Sequence, residues 1–173
     1  MTKPACTLDW ILEQLVSQDI VEQDKAHMIS SLVSTSDRKS LHPLEIVANR
    51  QWSNKSIPEQ VLTLDVMTDW LAEQSGLPRH HFDPLKMDVA SCTSIMSYAY
   101  ASRFNVLAVK VTPAEVEIAV TDPFDFEWMS EIERIVNRPI TKVLANPEQL
   151  KSYLIEFYSV SKAMDGAGSK SNG

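Results

Sequence analysis

The chain of 173 residues holds four glycines, and three of them, Gly166, Gly168 and Gly173, fall in its last eight positions. Only Gly76 stands in the body of the sequence. A loop that cradles phosphate needs several residues without a Cβ, so that backbone N–H groups can close on the anion. Neither a phosphate-binding loop nor a dinucleotide fingerprint can be written here. The chain is therefore not expected to hydrolyse ATP by itself.

Other bounds come from composition. With 44% hydrophobic residues the chain can bury a core as one domain or two small ones. A net charge of −7 argues against a nucleic-acid footprint or a basic membrane patch, leaving protein partners and small molecules open. No run approaches the roughly 18 apolar residues that span a bilayer, and the N-terminus lacks a signal-peptide core, so no direct membrane insertion is expected. Cys6 and Cys92 are too few for a disulfide framework and too far apart for a zinc motif. A reducing cytoplasm is the expected compartment.

Periodicity divides the chain in two, giving an α+β fold class. Residues 1–76 read as a helical leader subdomain. Thr7 caps a helix carrying Leu8, Ile11, Leu12, Leu15 and Val16 on one face. A second face reads Val21, Met28, Ile29, Leu32 and Val33. The polar stretch "STSDRKS" reads as a loop, "HPLEIVANRQW" as a short apolar segment and "SNKSIPE" as a turn. Thr63 caps a stronger helix with Leu64, Met67, Trp70 and Leu71, which Gly76 ends. Residues 77–84 form a connecting loop.

Residues 85–162 read as an α-β-β-α-β-α subdomain. A helix over Ser91 to Arg103 precedes the hairpin "VLAVKV" and "EVEIAV"; a helix with Trp128, Met129, Ile132, Ile135 and Val136 follows. "ITKVLA" is a third strand, parallel to the second by the crossover rule, and a last helix carries Leu150, Leu154, Phe157 and Tyr158. The result is a small three-stranded mixed sheet. Residues 163–173 read as a flexible linker, which suggests that the natural chain continues.

The segment "VTDPFDFE" places two aspartates after a strand, where metal and phosphate ligands often sit. Local grammar explains them: Asp122 as N-cap, Pro123 at the first helical position and Asp125 at the third, near the positive end of the dipole. Asn146, Pro147, Glu148 and Gln149 repeat the device. Asp122, Asp125 and Asn146 are thus structural helix caps, not catalytic groups. His80, His81 and Asp83 are a tempting metal cluster, but no third histidine or cysteine stands at ligand spacing, so an exposed loop is expected. Ser91, Thr93, Ser94 and Ser97 lack a partnered His and Asp. Trp10, Trp70, Trp128, Tyr153 and Phe157 read as core. No catalytic residue, metal or cofactor is assigned.

"LTLDVMTDWLAEQSGLPRHHFDPLKMD", "SYAYASRFNVLAV", "VEIAVTDPFD" and "ITKVLANPEQLKSYLIEFY" together resemble the N-terminal, MshEN-like region of assembly ATPases, the motors of type II secretion systems and type IV pili. The resemblance is best over Leu62 to Ser161, and its most specific element is Ala-x-x-Asp-Pro-x-Asp, from Ala119 to Asp125. "LEQLVSQDIVEQDK" and "HPLEIVANRQW" resemble two copies of the family's helical leader. Some members bind cyclic di-GMP there through an Arg-Leu-Gly start and a downstream glycine in each copy. Here Trp10-Ile11-Leu12 and Leu41-His42-Pro43 take the Arg-Leu-Gly positions, and Asp19 and Arg50 fall at the glycines. Without the arginine's planar phosphate-pairing group and the glycines' open backbone, cyclic di-GMP is expected to bind weakly or not at all.

The resemblance implies a non-catalytic docking and regulatory domain. It would recruit the motor to the cytoplasmic domain of an inner-membrane platform protein, at the inner face of that membrane. The alternative is a cyclic di-GMP receptor with a degenerate motif, and a small standalone enzyme is disfavoured. The ATPase core, with its phosphate loop, is implied to lie beyond residue 173.

Overall fold

The computed structural model describes residues 3–170, with side-chain burial to Asp165. The chain splits into two compact units, Met1–Ser75 and Gly76–Gly173.

The first unit is helical. Helix α1 (Leu8–Ser17) starts where Thr7 Oγ1 accepts the Trp10 N–H at 3.2 Å, and it buries Leu8, Ile11, Leu12 and Leu15. Helix α2 (Gln23–Leu32) turns a narrower face inward than expected. Val21, Ala26 and Ile29 are buried, whereas Met28 and Leu32 are 42% and 67% exposed. Met28 stands about 100° around the helix from Ile29, on the side away from Ala26 and the buried face.

"STSDRKS" is not a loop. It contains helix α3 (Thr35–Ser40), none of whose residues is buried. Ser34 Oγ accepts the Asp37 N–H at 3.0 Å, and Arg38 and Lys39 sit in the last turn, so capping and dipole compensation build a helix that apolar periodicity cannot see. Helix α4 (Pro43–Ala48) buries Leu44, Ile46 and Val47 behind a capping box of His42 and Glu45. Helix α5 (Leu64–Ser75) buries Met67, Trp70, Leu71 and Ala72 and ends at Gly76, whose φ of 75° is the left-handed stop the sequence implies.

The second unit has the α-β-β-α-β-α order with its first helix broken in two. Helix α6 (Val89–Thr93) stops, and Ser97 Oγ accepts the Tyr100 N–H at 3.1 Å to start α7 (Tyr98–Phe104). Strands β1 (Val106–Val111) and β2 (Val116–Val120) pair antiparallel, with the register slipping between Ala108 and Lys110. After helix α8 (Met129–Val136), strand β3 (Ile140–Leu144) pairs parallel to β2, giving a mixed sheet in the order β1-β2-β3. The first four residues of β1 are all buried, more than a half-buried strand would show.

The 77–84 connection is tied to β3: Leu144 N donates to Pro78 O at 2.8 Å and His80 N donates to Leu144 O at 2.8 Å. Residues 163–170 are not a linker but the end of helix α9 (Pro147–Lys170); 171–173 lie outside the described residues. Once a helix is nucleated, each further residue adds a hydrogen bond, which offsets a glycine's deficit of about 1 kcal/mol. The core of this unit gathers Leu107, Ile118, Trp128, Ile132, Leu144, Leu150 and Leu154. Among the described residues no helix is long and apolar enough to cross a membrane.

Candidate functional site

In the first unit, the leader positions carry core residues rather than a phosphate-facing edge. Trp10, Ile11 and Leu12 are all buried, and the Trp10 ring packs 6.4 Å from Trp70. Trp70 Nε1 in turn donates to Gln18 Oε1 at 3.0 Å. The backbone nonetheless holds two left-handed turns at non-glycine residues. Asp19 has φ 60° and Gln51 has φ 54°. Asp19 is one of the two positions aligned with a leader glycine, and Gln51 directly follows the other, Arg50. The Asp19 turn is held by Ser56 Oγ donating to its carbonyl at 2.7 Å and by Lys55 Nζ at 3.1 Å from its carboxylate. Between α1 and α2 lies a groove of about 610 Å³, with Leu12, Val16 and Ala26 below a rim that includes Asp9, Glu13 and Asp24.

In the second unit, the aspartates of "VTDPFDFE" do different work from the expected one. Helix α8 begins at Met129, well past Asp125, and Trp128 at its N-cap makes no side-chain cap. Asp122 Oδ1 instead accepts the Phe124 N–H at 2.9 Å, and Asp125 Oδ1 accepts the Glu127 N–H at 3.0 Å. Each carboxylate closes a turn, and the two turns delay the helix. Between them they receive Lys142. Its ammonium is buried, donates to Pro123 O at 2.7 Å and sits 3.5 Å from the Phe126 ring centroid. Burial lowers the Lys142 pKa, and the charges of Asp122 and then Asp125 push it back up. Lys142 was invisible in sequence, because a lysine in "ITKVLA" reads as a solvent-facing strand residue. Asn146 stands directly before α9, and its Oδ1 accepts from Glu148 N at 3.0 Å and Gln149 N at 3.2 Å.

The other clusters separate. The His80 ring meets Phe82 edge-on at 4.8 Å, His81 is exposed, and Asp83 Oδ1 accepts the Leu85 N–H. His80 Nε2 is buried without a partner, and burial, then His81 and Arg79, lower its pKa. Among the described residues no group of three His, Cys, Asp or Glu could hold a metal ion. The hydroxyls are engaged locally: Ser91 Oγ donates to Asp88 Oδ2 at 2.6 Å, Thr93 Oγ1 to Val89 O at 2.8 Å and Ser94 Oγ to Ser91 O at 2.7 Å.

Beside α9 runs a groove of about 570 Å³, lined in part by Met96, Tyr98, Ile155 and Tyr158. Tyr98 and Ile155 leave 45% and 49% of their surface exposed there. Tyr158 Oη donates to Met96 O at 2.7 Å, and burial, with the neighbouring Cys92, pushes its phenol up to about 12. These features suit recognition better than proton transfer.

A helical leader and a small mixed sheet flanked by helices define a class. The family model for the MshEN domain matches residues 75–164, and the chain belongs to the MshEN domain family. It is 34% identical over 156 residues, 90% of its length, to the type IV pilus assembly ATPase TfpB of Acinetobacter baylyi, and spans 27% of that protein. Among solved structures, MshE with cdg matches at a TM-score of 0.59 with 16% identity, covering 86% of this chain and 98% of the other. The N-terminal domain of XpsE matches at 0.53 with 14% identity, covering 91% and 98%. At these identities the likeness to both structures is one of fold.

Proposed function

We propose that this chain is a docking and regulatory domain of a pilus or secretion assembly ATPase, without catalysis of its own. It recruits the motor to the cytoplasmic domain of an inner-membrane platform protein. The observation that carries this reading is 34% identity across nearly the whole chain to a type IV pilus assembly ATPase of which it spans about a quarter. The half-exposed Tyr98 and Ile155 beside α9 support it, as aromatic and aliphatic anchors on an open face.

A pull-down of the chain against soluble domains of platform proteins, at low and high salt, tests it. Binding is expected without nucleotide. A Tyr98→Ala, Ile155→Ala pair is expected to weaken it, and with a net charge of −7 association with a basic patch slows as salt rises. Failure to bind any platform domain, while a full-length motor carrying this domain binds, places the docking surface elsewhere.

A second reading, a cyclic di-GMP receptor with a degenerate motif, is favoured by the fold shared with MshE and by the left-handed turns at Asp19 and Gln51. Against it stand the buried Trp10-Ile11-Leu12 and the carboxylates rimming the α1–α2 groove, which repel a dianion. Calorimetry is expected to give an affinity weaker than micromolar; anything tighter promotes this reading over docking.

A further inference from the structure

Two side chains 36 residues apart meet at the start of the leader, with Cys6 Sγ 3.5 Å from His42 Nε2. Nδ1 of the same ring accepts the Leu44 N–H at 3.1 Å. That nitrogen carries no proton, so the neutral ring holds its proton on Nε2 and aims it at the sulfur. The residue is steadied from its backbone as well, since His42 N donates to Glu45 Oε2 at 3.0 Å. An N–H donor favours thiolate over thiol. Cys6 also directly precedes Thr7, the N-cap of the ten-residue α1, whose positive end acts in the same direction.

Cys6 is half-buried and opens on a cleft of about 350 Å³ lined with Asp9, Arg38, Pro43 and Ile46. Among the described residues, the charged and titratable groups around it include Asp9 from α1, Arg38 from α3, and His42 and Glu45 from the start of α4. Arg38 and Asp9 stand 3.4 Å apart and offset each other, with the Arg38 side chain 31% exposed. The other thiol provides a contrast within the same chain. Cys92 is buried, and burial, then Asp88, push it up to about 11.

We propose that Cys6 is a thiol–disulfide exchange site, activated by His42 and entered through the cleft beside Arg38 and Pro43, for a small disulfide such as oxidised glutathione. The Cys6 thiolate attacks one sulfur of the disulfide. A new S–S bond joins Cys6 to that half, the old S–S bond breaks, and the other half leaves as a thiolate that takes a proton from water. Cys6 is oxidised, the departing half is reduced, and no further oxidant is required. The adduct fills the cleft between α1 and the His42 cap of α4, so modification bears directly on how the leader is held together.

The test is the rate of mixed-disulfide formation on the full chain with oxidised glutathione, followed by mass from about pH 6 to 9 around the ordinary thiol value. One fast adduct is expected, mapping to Cys6 and abolished by Cys6→Ser. Its pH profile should have a midpoint below the ordinary value of about 8.5. His42→Asn keeps a capping oxygen but withdraws the donor; it is expected to move the midpoint back toward about 8.5 and slow the neutral-pH rate roughly 3- to 10-fold. A wild-type midpoint at or above the ordinary value, an adduct forming as fast on Cys92, or a His42→Asn profile equal to wild type overturns the assignment.

Discussion

Lys142 carries a charge into a strand whose next two residues, Val143 and Leu144, are core. Such a charge persists only where its partners offset desolvation, here a carbonyl, a ring face and two carboxylates. Asp122 therefore has two separable jobs: its oxygen closes a turn, and its charge faces the lysine. Asp122→Ala is expected to lose both, on the order of 1–3 kcal/mol, and Asp122→Asn only the second. In a Lys142→Met background the Asn substitution is expected to cost almost nothing, which urea unfolding of the four proteins would measure; an unchanged cost denies the carboxylate any role as counter-charge. His80 makes a different demand. Its folded pKa lies below the ordinary 6.5, so the unfolded chain binds the proton more tightly, and the stability it contributes is complete above that value and lost as pH falls beneath it. Thermal melts are expected to show a steeper decline from neutral to mildly acidic pH in the wild type than in His80→Phe. Parallel declines would refute the linkage.

Helices α7 and α8 share an ending. Asn105 and Asn137 hold φ of 52° and 50°, and Asn137 N returns to Glu133 O at 2.8 Å. Asparagine tolerates that left-handed cap and a residue with an unadorned Cβ does not, so Asn137→Ala is expected to cost about 1 kcal/mol and Asn137→Gly to be near neutral. Equal denaturation midpoints for wild type and Asn137→Ala would remove the cap from the account. At this scale the sequence was most legible where one rule acts alone. Thr7 and Thr63 start helices with apolar faces, and "VLAVKV" with "EVEIAV" makes a hairpin. Legibility failed where local polar chemistry outweighed periodicity. Helix α3 has no apolar face, the helix expected over 91–103 is interrupted ahead of the Ser97 cap, and Asp122 and Asp125 make turns that look in sequence like a helix start. The Lys142 cage and the Cys6–His42 pair could not be read at all, because each depends on residues that only tertiary packing brings together.

The units Met1–Ser75 and Gly76–Gly173 each own a core, the first around Ile11, Leu15, Leu44 and Leu71, the second around Leu107, Ile118, Trp128 and Leu144. Fragments 1–75 and 76–173 are each expected to melt cooperatively by circular dichroism. A fragment beginning at 85 omits the two backbone hydrogen bonds between Leu144 and the Pro78–His80 segment and is expected to lose on the order of 1–3 kcal/mol relative to 76–173. Equal stability of the two would make that segment a mere tether. The same segment has a consequence for life at high concentration. A three-stranded sheet has two borders where a stranger's backbone could attach and start a fibre. Along β3 the border is already taken at Leu144 by the Pro78–His80 segment; along β1 the register slip beside Lys110 bends the template. A protein that crowds many copies of this domain into one place could thus do so without its sheets adhering to one another.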